Sequence, residues 1–186
     1  MASKDSTRAG NIREFELFQA KQEGGEGIDA SDGVVDIKYY EDVLSNSVSL
    51  TAIITETGES SKKSFGNKGI LDGLPIRGGE PSHIVIEDHD GNKLSFKNES
   101  KLYVNRIRNV IPGTQKDVYS LDFSSRELFA NEQCRVVKRY DGKISDNVKK
   151  ILTEATSGSA GIKTKKNVDN IDDSNSYNFI GNDRKP

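Results

Sequence analysis

Two pieces of sequence decide the fold: Gly79–Phe96, GEPSHIVIEDHDGNKLSF, and Lys101–Leu152, KLYVNRIRNVIPGTQKDVYSLDFSSRELFANEQCRVVKRYDGKISDNVKKIL. The first predicts a β-hairpin. His83–Asp88 and Lys93–Phe96 flank Asp88-His89-Asp90-Gly91-Asn92, residue types that favour a tight turn. The second predicts another hairpin, Leu102–Ile111 and Val118–Phe123 around Pro112-Gly113-Thr114. Alternation sets Leu102, Val104 and Ile107 against Tyr119, Leu121 and Phe123, with a bulge expected near Asn105-Arg106. The period then changes. Ser124-x-x-Glu127 reads as a capping box, and Leu128, Phe129 and Cys134 follow at roughly helical spacing, which predicts a helix near 125–134. Arg135–Tyr140 reads as extended and Asp141-Gly142 as a turn, with Ser145 capping a second helix near 145–156. Val148, Ile151, Leu152 and Ala155 form its apolar stripe, and Gly158 is a candidate C-cap.

Upstream, Met1–Asn11 reads as a flexible tail. Ile12–Lys21 predicts a strand with Phe15 and Leu17 on one face and Glu14 and Glu16 on the other. Glu23–Gly33 is a glycine-rich loop. Val34–Tyr40 predicts a strand with Val35, Ile37 and Tyr39 on one side. Ser47–Thr57 is the clearest strand, with Val48, Leu50, Ala52 and Ile54 facing one way among hydroxyl and β-branched residues. Gly58–Glu80 is a long connection. Its second half carries Ile70, Leu71, Leu74, Pro75 and Ile76 among glycines, suited to dock on its own domain or on a neighbour. The expected organisation is a tail over 1–11, one barrel domain over 12–157 and an extended segment over 158–186. That segment holds a basic patch (Lys163, Lys165, Lys166), an acidic one (Asp169, Asp172, Asp173) and an apolar cluster at Tyr177, Phe179 and Ile180. Six or seven strands and two late helices predict an α+β domain, an antiparallel barrel or sandwich flanked by the helices.

Composition limits the functions open to such a fold. The 186 residues carry 27 basic and 29 acidic side chains, net −2, mixed along most of the chain, so no global field attracts nucleic acid or anionic lipid. The N-terminus has no apolar region of a signal peptide, and no run approaches a membrane span. Cys134 is the only cysteine, which excludes an intrachain disulfide and suits a reducing compartment. Tryptophan is absent and the 13 Phe and Tyr are scattered, against an aromatic platform for sugars or bases.

Candidate chemistry reads as structural. His83 and His89 lie near Glu80, Glu87, Asp88 and Asp90, but Lys93 stands where a calcium loop needs glycine, and a solvated hairpin tip accounts for the cluster. Cys134 has no histidine in a supporting motif and reads as a small buried residue. Glu14 and Glu16 share a strand face, ordinarily a solvated one. The glycine clusters Gly24, Gly25, Gly27 and Gly73, Gly78, Gly79 fit no phosphate-loop order. No catalytic residue, metal ligand or cofactor site is expected. The basic run Arg135, Lys138, Arg139, Lys143, Lys149 and Lys150 suits a rim or a protein contact better than nucleic acid, since only Tyr140 interleaves.

The chain resembles the N-terminal, tube-like part of baseplate hub proteins of contractile-tailed bacteriophages, especially T4-like marine phages. SVSLTAIITETG (47–58), GLPIRGGE (73–80), HIVIED (83–88) and KLYVNRIRNV (101–110) carry the likeness. So do SREL (125–128), running into FANEQCRVVKRYDGKISDNVKKIL (129–152), and NFIGNDRKP (178–186). The resemblance implies a tail-tube type of barrel, in a virion protein that joins tail tube to central spike. It implies a closed ring of sister copies, trimer or hexamer, with DNA only passing through the lumen, and no catalytic residues carry over. Hub proteins of this kind continue beyond NFIGNDRKP, so a further domain is expected to follow there in such a protein. The alternatives are a tail-tube or tube-terminator subunit, or a tail-associated hydrolase or carbohydrate-binding module. Ile70, Leu71, Leu74, Pro75, Ile76, Arg135, Lys138, Arg139, Tyr177 and Phe179 are the candidate subunit-interface residues.

Overall fold

The computed structural model describes residues 10–20, 27–45, 47–56, 70–74, 76–134, 139–153, 162–168 and 176–180. The chain divides into two compact units, Met1–Ser125 and Arg126–Pro186.

The first unit is a curled antiparallel sheet. Its strands are β1 (Asn11–Leu17), β2 (Ile28–Asp29), β3 (Val34–Tyr40), β4 (Ser49–Glu56), β5 (Pro81–Glu87), β6 (Lys93–Phe96), β7 (Leu102–Ile111) and β8 (Asp117–Ser125). They follow the order β2-β1-β5-β7-β8-β4-β3, with β6 also paired to β5. β5 is the hub: β1 lies along one edge, and β6 and β7 share the other, β6 at Ile84–Glu87 and β7 at Pro81–Ser82. The ends of the path, β2 and β3, are consecutive in sequence. A 3-10 turn, Ser31–Gly33, joins them. Ala30 N–H donates to Phe15 C=O at 2.8 Å, the Ser31 hydroxyl accepts from Phe15 N–H at 2.9 Å, and Thr55 Oγ1 donates to Gly33 C=O at 3.4 Å. This turn therefore ties β1 to β4 and brings the two ends of a half-barrel together. The protein is α+β with a predominantly antiparallel sheet.

Period-two alternation builds the core. Phe15, Leu17, Leu50, Ala52, Ile54, Ile84, Leu102, Val104, Tyr119, Leu121 and Phe123 all face inward with no exposed area. Burying each large side chain contributes roughly 1.5–3 kcal/mol. The expected bulge in β7 is present as a register shift between Val104 and Arg106. An unexpected one between Val34 and Asp36 corrects the reading of β3: Val34, Ile37 and Tyr39 turn inward, and Val35 is 65% exposed. The extra residue switches the face at that point.

The hairpin tip is organised by Asp88. Its carboxylate accepts from Asp90 N–H, Asn92 N–H and Asn92 Nδ2, each at 2.8 Å, and Gly91 takes φ +85°. Between β4 and β5 a single helical turn, α1 (Ile70–Gly73), follows residues 57–69, which lie outside the described set with the first half of the long connection.

The second unit holds α2 (Arg126–Gln133), β9 (Arg139–Lys143), α3 (Ile144–Thr153) and β10 (Ser176–Ile180). Three local expectations are corrected. Ser124 belongs to β8, opposite Ser49 and Tyr103, and Glu127 bonds Thr164 Oγ1 at 2.8 Å and Lys166 at 3.3 Å. Asp141-Gly142 does not turn; both pair with β10, Gly142 at φ +98°. α3 starts one residue before Ser145. Its fully buried side chain is Asn147, which donates to Asp141 C=O at 3.3 Å, while Val148, Ile151 and Leu152 are half-buried. Ala155 and Gly158 lie outside the described residues. No described helix is long and apolar enough to cross a membrane.

Candidate functional site

The apolar segment before β5 is fixed at both ends by a buried carboxylate. Glu56, the last residue of β4, is 4% exposed; its carboxylate accepts from the Ile70 N–H at the start of α1 and from the Tyr119 hydroxyl at 3.2 Å. Burial, reinforced by the Glu56 charge, raises the Tyr119 pKa and keeps that hydroxyl a donor. Glu80, 2% exposed, closes the other end, accepting from Arg77 N–H at 2.7 Å and Gly78 N–H at 2.9 Å. Ile70 and Leu74 are thereby set in the core, with Leu71 and Ile76 packed against it. Of these residues expected at a subunit interface, Ile70 and Leu74 are buried within this chain, while Leu71 and Ile76 are half-buried and keep part of their area exposed. Pro75, Arg135 and Lys138 lie outside the described residues. Arg139 is exposed on β9 and donates to Asp141 at 2.8 Å. Tyr177 and Phe179 sit in β10, opposite Gly142 and Tyr140.

The most exposed apolar surface lies at positions the sequence does not mark as an interface. Among the described residues β3 pairs only with β4, so its outer backbone edge carries no strand partner. Exposed Val35 and Tyr40 lie on that strand. Val43 and Leu44, 98% and 93% exposed, occupy the β3–β4 connection, where Leu44 N–H is held by Asp42 Oδ1 at 2.9 Å. Val110 and Ile111, both more than half exposed, sit at the β7–β8 hairpin. Because Ser49 pairs with Ser124 and Glu56 with Asp117, these two loops lie at opposite ends of the β4–β8 pair. The signal for this surface is in the sequence, in the apolar pair Val43-Leu44 within the turn Asp42–Ser45, but alternation gives it no face.

The predicted histidine-acid cluster is dispersed. Glu80 is buried in its loop, Glu87 pairs with Arg13 at 3.0 Å and Lys93 at 3.6 Å, Asp88 holds the tip, and His89 lies 3.4 Å from Asp90. His83 turns to β1 instead, its Nδ1 3.7 Å from Glu16 Oε2. Burial, with Lys101 next in weight, holds the His83 pKa below the ordinary imidazole value against the opposing pull of Glu16. Cys134 is buried, at the end of α2, as expected of a small packing residue.

No protein-family model matches the chain, and no curated protein matches it.

Proposed function

We propose that the protein is a structural subunit of a contractile-tail baseplate hub, working by closing a ring of sister copies that connects tail tube to central spike. The observation that carries this reading is the outer edge of β3, which has no strand partner among the described residues and is flanked by exposed Val35, Tyr40, Val43 and Leu44. An exposed strand edge is a template for pairing with another chain. A ring needs a heterologous contact that closes, so the β3 edge of one copy meets a different surface of the next. Exposed apolar residues at both ends of the sheet suit stacking on rings above and below. The curled antiparallel sheet and the resemblance of its segments to hub proteins support the tail-tube type of barrel. In this reading the protein does no chemistry, and a near-neutral chain lets DNA pass through the lumen without holding it. A tube or tube-terminator subunit would share the barrel and differ in symmetry, six copies per ring against three.

The mass of the purified assembly across a concentration series tests the reading. A closed three- or six-fold species is expected, reduced to monomer by Val35→Lys with the fold retained by circular dichroism. A wild-type chain that stays monomeric at high concentration overturns it.

A further inference from the structure

On the outer face of the β1–β5 pair three metal-ligating side chains converge. Glu16 stands directly opposite His83, and Glu14, two residues along the same strand, lies on the same face opposite Val85. One ligand atom from each of Glu14, Glu16 and His83 lies within 4.8 Å of the others. All three side chains are half-buried, between 25% and 35% exposed. The imidazole is braced: the Phe18 ring packs edge-on against it with centroids 4.5 Å apart. Phe18 in turn fills the space over Gly27, where a Cβ would stand 2.7 Å from the ring. Gly27 thus admits the ring that fixes the histidine.

We propose that Glu14, Glu16 and His83 form a site for a divalent cation of the zinc class. Carboxylate oxygen and imidazole nitrogen in this ratio suit such an ion better than calcium or magnesium, which take oxygen ligands. Zinc bonds of about 2.0–2.2 Å put ligand atoms about 3.4 Å apart in a tetrahedron, so the trio needs to close by roughly 1 Å. Rotamer adjustment of two glutamates on a rigid strand supplies that. Three protein ligands leave a fourth position toward solvent for water or a neighbouring group.

Lys97 is the built-in competitor. Its ammonium lies 2.6 Å from Glu14 Oε2 and neutralises that carboxylate in the metal-free protein. The ion must displace it or share Glu14 with it, which weakens binding without removing any ligand. This separates the proposal from adventitious binding to surface acids, for which Lys97 has no particular place.

The test is Zn²⁺ titration by calorimetry on the full chain, with Co²⁺ absorption as a second readout of nitrogen–oxygen coordination. One equivalent is expected to bind and to raise the melting temperature. Glu16→Gln and His83→Gln should each weaken binding by at least about tenfold, His89→Gln should leave it unchanged, and Lys97→Met should tighten it severalfold. Circular dichroism establishes that each variant is folded. Absence of one-to-one binding, or binding indifferent to His83→Gln, overturns the site, and an affinity unmoved by Lys97→Met overturns the role given to Lys97. None of these outcomes depends on whether the protein forms rings.

Discussion

The rings of Phe15 and Phe123 meet edge to face, centroids 5.7 Å apart and planes at 83°, although β5 and β7 stand between their strands. Three strand spacings of about 4.8 Å would hold them about 14 Å apart in a flat sheet. The contact is therefore a measure of curl, and it lies in the middle of the core. Phe15→Ala and Phe123→Ala are each expected to lower stability by about 3–5 kcal/mol. Because the rings share one contact, the double variant should lose less than the sum of the two. Urea midpoints of the four proteins decide it: strict additivity would mean the rings stabilise independently.

Closure depends on a close backbone approach at Gly33. A Cβ there would stand 2.7 Å from the Thr55 carbonyl oxygen and 3.4 Å from Ile54 Cγ2. The backbone atom cannot rotate away as a side-chain tip would, so Gly33→Ala must push the 3-10 turn off β4. A loss of about 1–3 kcal/mol is expected, typical of overpacking. Hydrogen exchange should show it first in β3. A neutral Gly33→Ala by thermal melting would show that the turn does not close the sheet.

Glu80 holds its segment by backbone donors alone. Glu80→Ala leaves Arg77 N–H and Gly78 N–H without their acceptor and opens a space in the core wall. Each unmet donor costs about 1–3 kcal/mol where water does not replace the bond. Cleavage near Arg77 by trypsin, faster than global unfolding allows, is the expected result. Cleavage at the wild-type rate would show that Ile70 and Leu74 anchor the segment without the clamp.

The sheet was readable from the sequence where alternation was unbroken and turn chemistry strong. β4, β6, β7 and β8, the Asp88 tip and the bulge after Val104 follow from side-chain period and Asp/Gly/Asn placement. The face of Val35 was not, because a bulge between Val34 and Asp36 leaves no mark in apolar spacing. Ser124 kept its strand partners over a capping role, tertiary pairing overriding a local motif. Residue type alone makes Asp141-Gly142 look like a turn, yet the positive φ of Gly142 is accommodated inside a two-stranded pair. The candidate cation site was half-visible. Glu14 and Glu16 share a face by period, but their meeting with His83 depends on pairing across more than sixty residues, which composition cannot show. Likewise Ile70 and Leu74 look like free apolar loop residues until the buried carboxylates of Glu56 and Glu80 are placed at either end.

Acid should act first on the β1–β5–β6 wall. The Glu87 carboxyl is held below its ordinary range, chiefly by the hydrogen bond from Arg13 and then by the charges of Arg13 and Lys93, against some desolvation. Asp88 is held low chiefly by the Asn92 side chain and then by the backbone N–H groups of the tip. A depressed folded-state pKa means the unfolded chain binds more protons as pH falls. The stabilisation is complete above the ordinary carboxylate value of about 4 and is lost as pH drops through the lower folded values. Thermal melts from neutral pH downward should therefore slip a little through the ordinary imidazole range, because folding disfavours protonation of His83, and fall further below about pH 4, this second fall being steeper in wild type than in Glu87→Gln or Asp88→Asn. The Glu87 part should shrink in high salt, since the Arg13 guanidinium is largely exposed, while the Asp88 part, built on short hydrogen bonds from the Asn92 side chain and the tip backbone, should persist. Equal acid slopes in wild type and both variants would mean that other carboxylates govern acid unfolding.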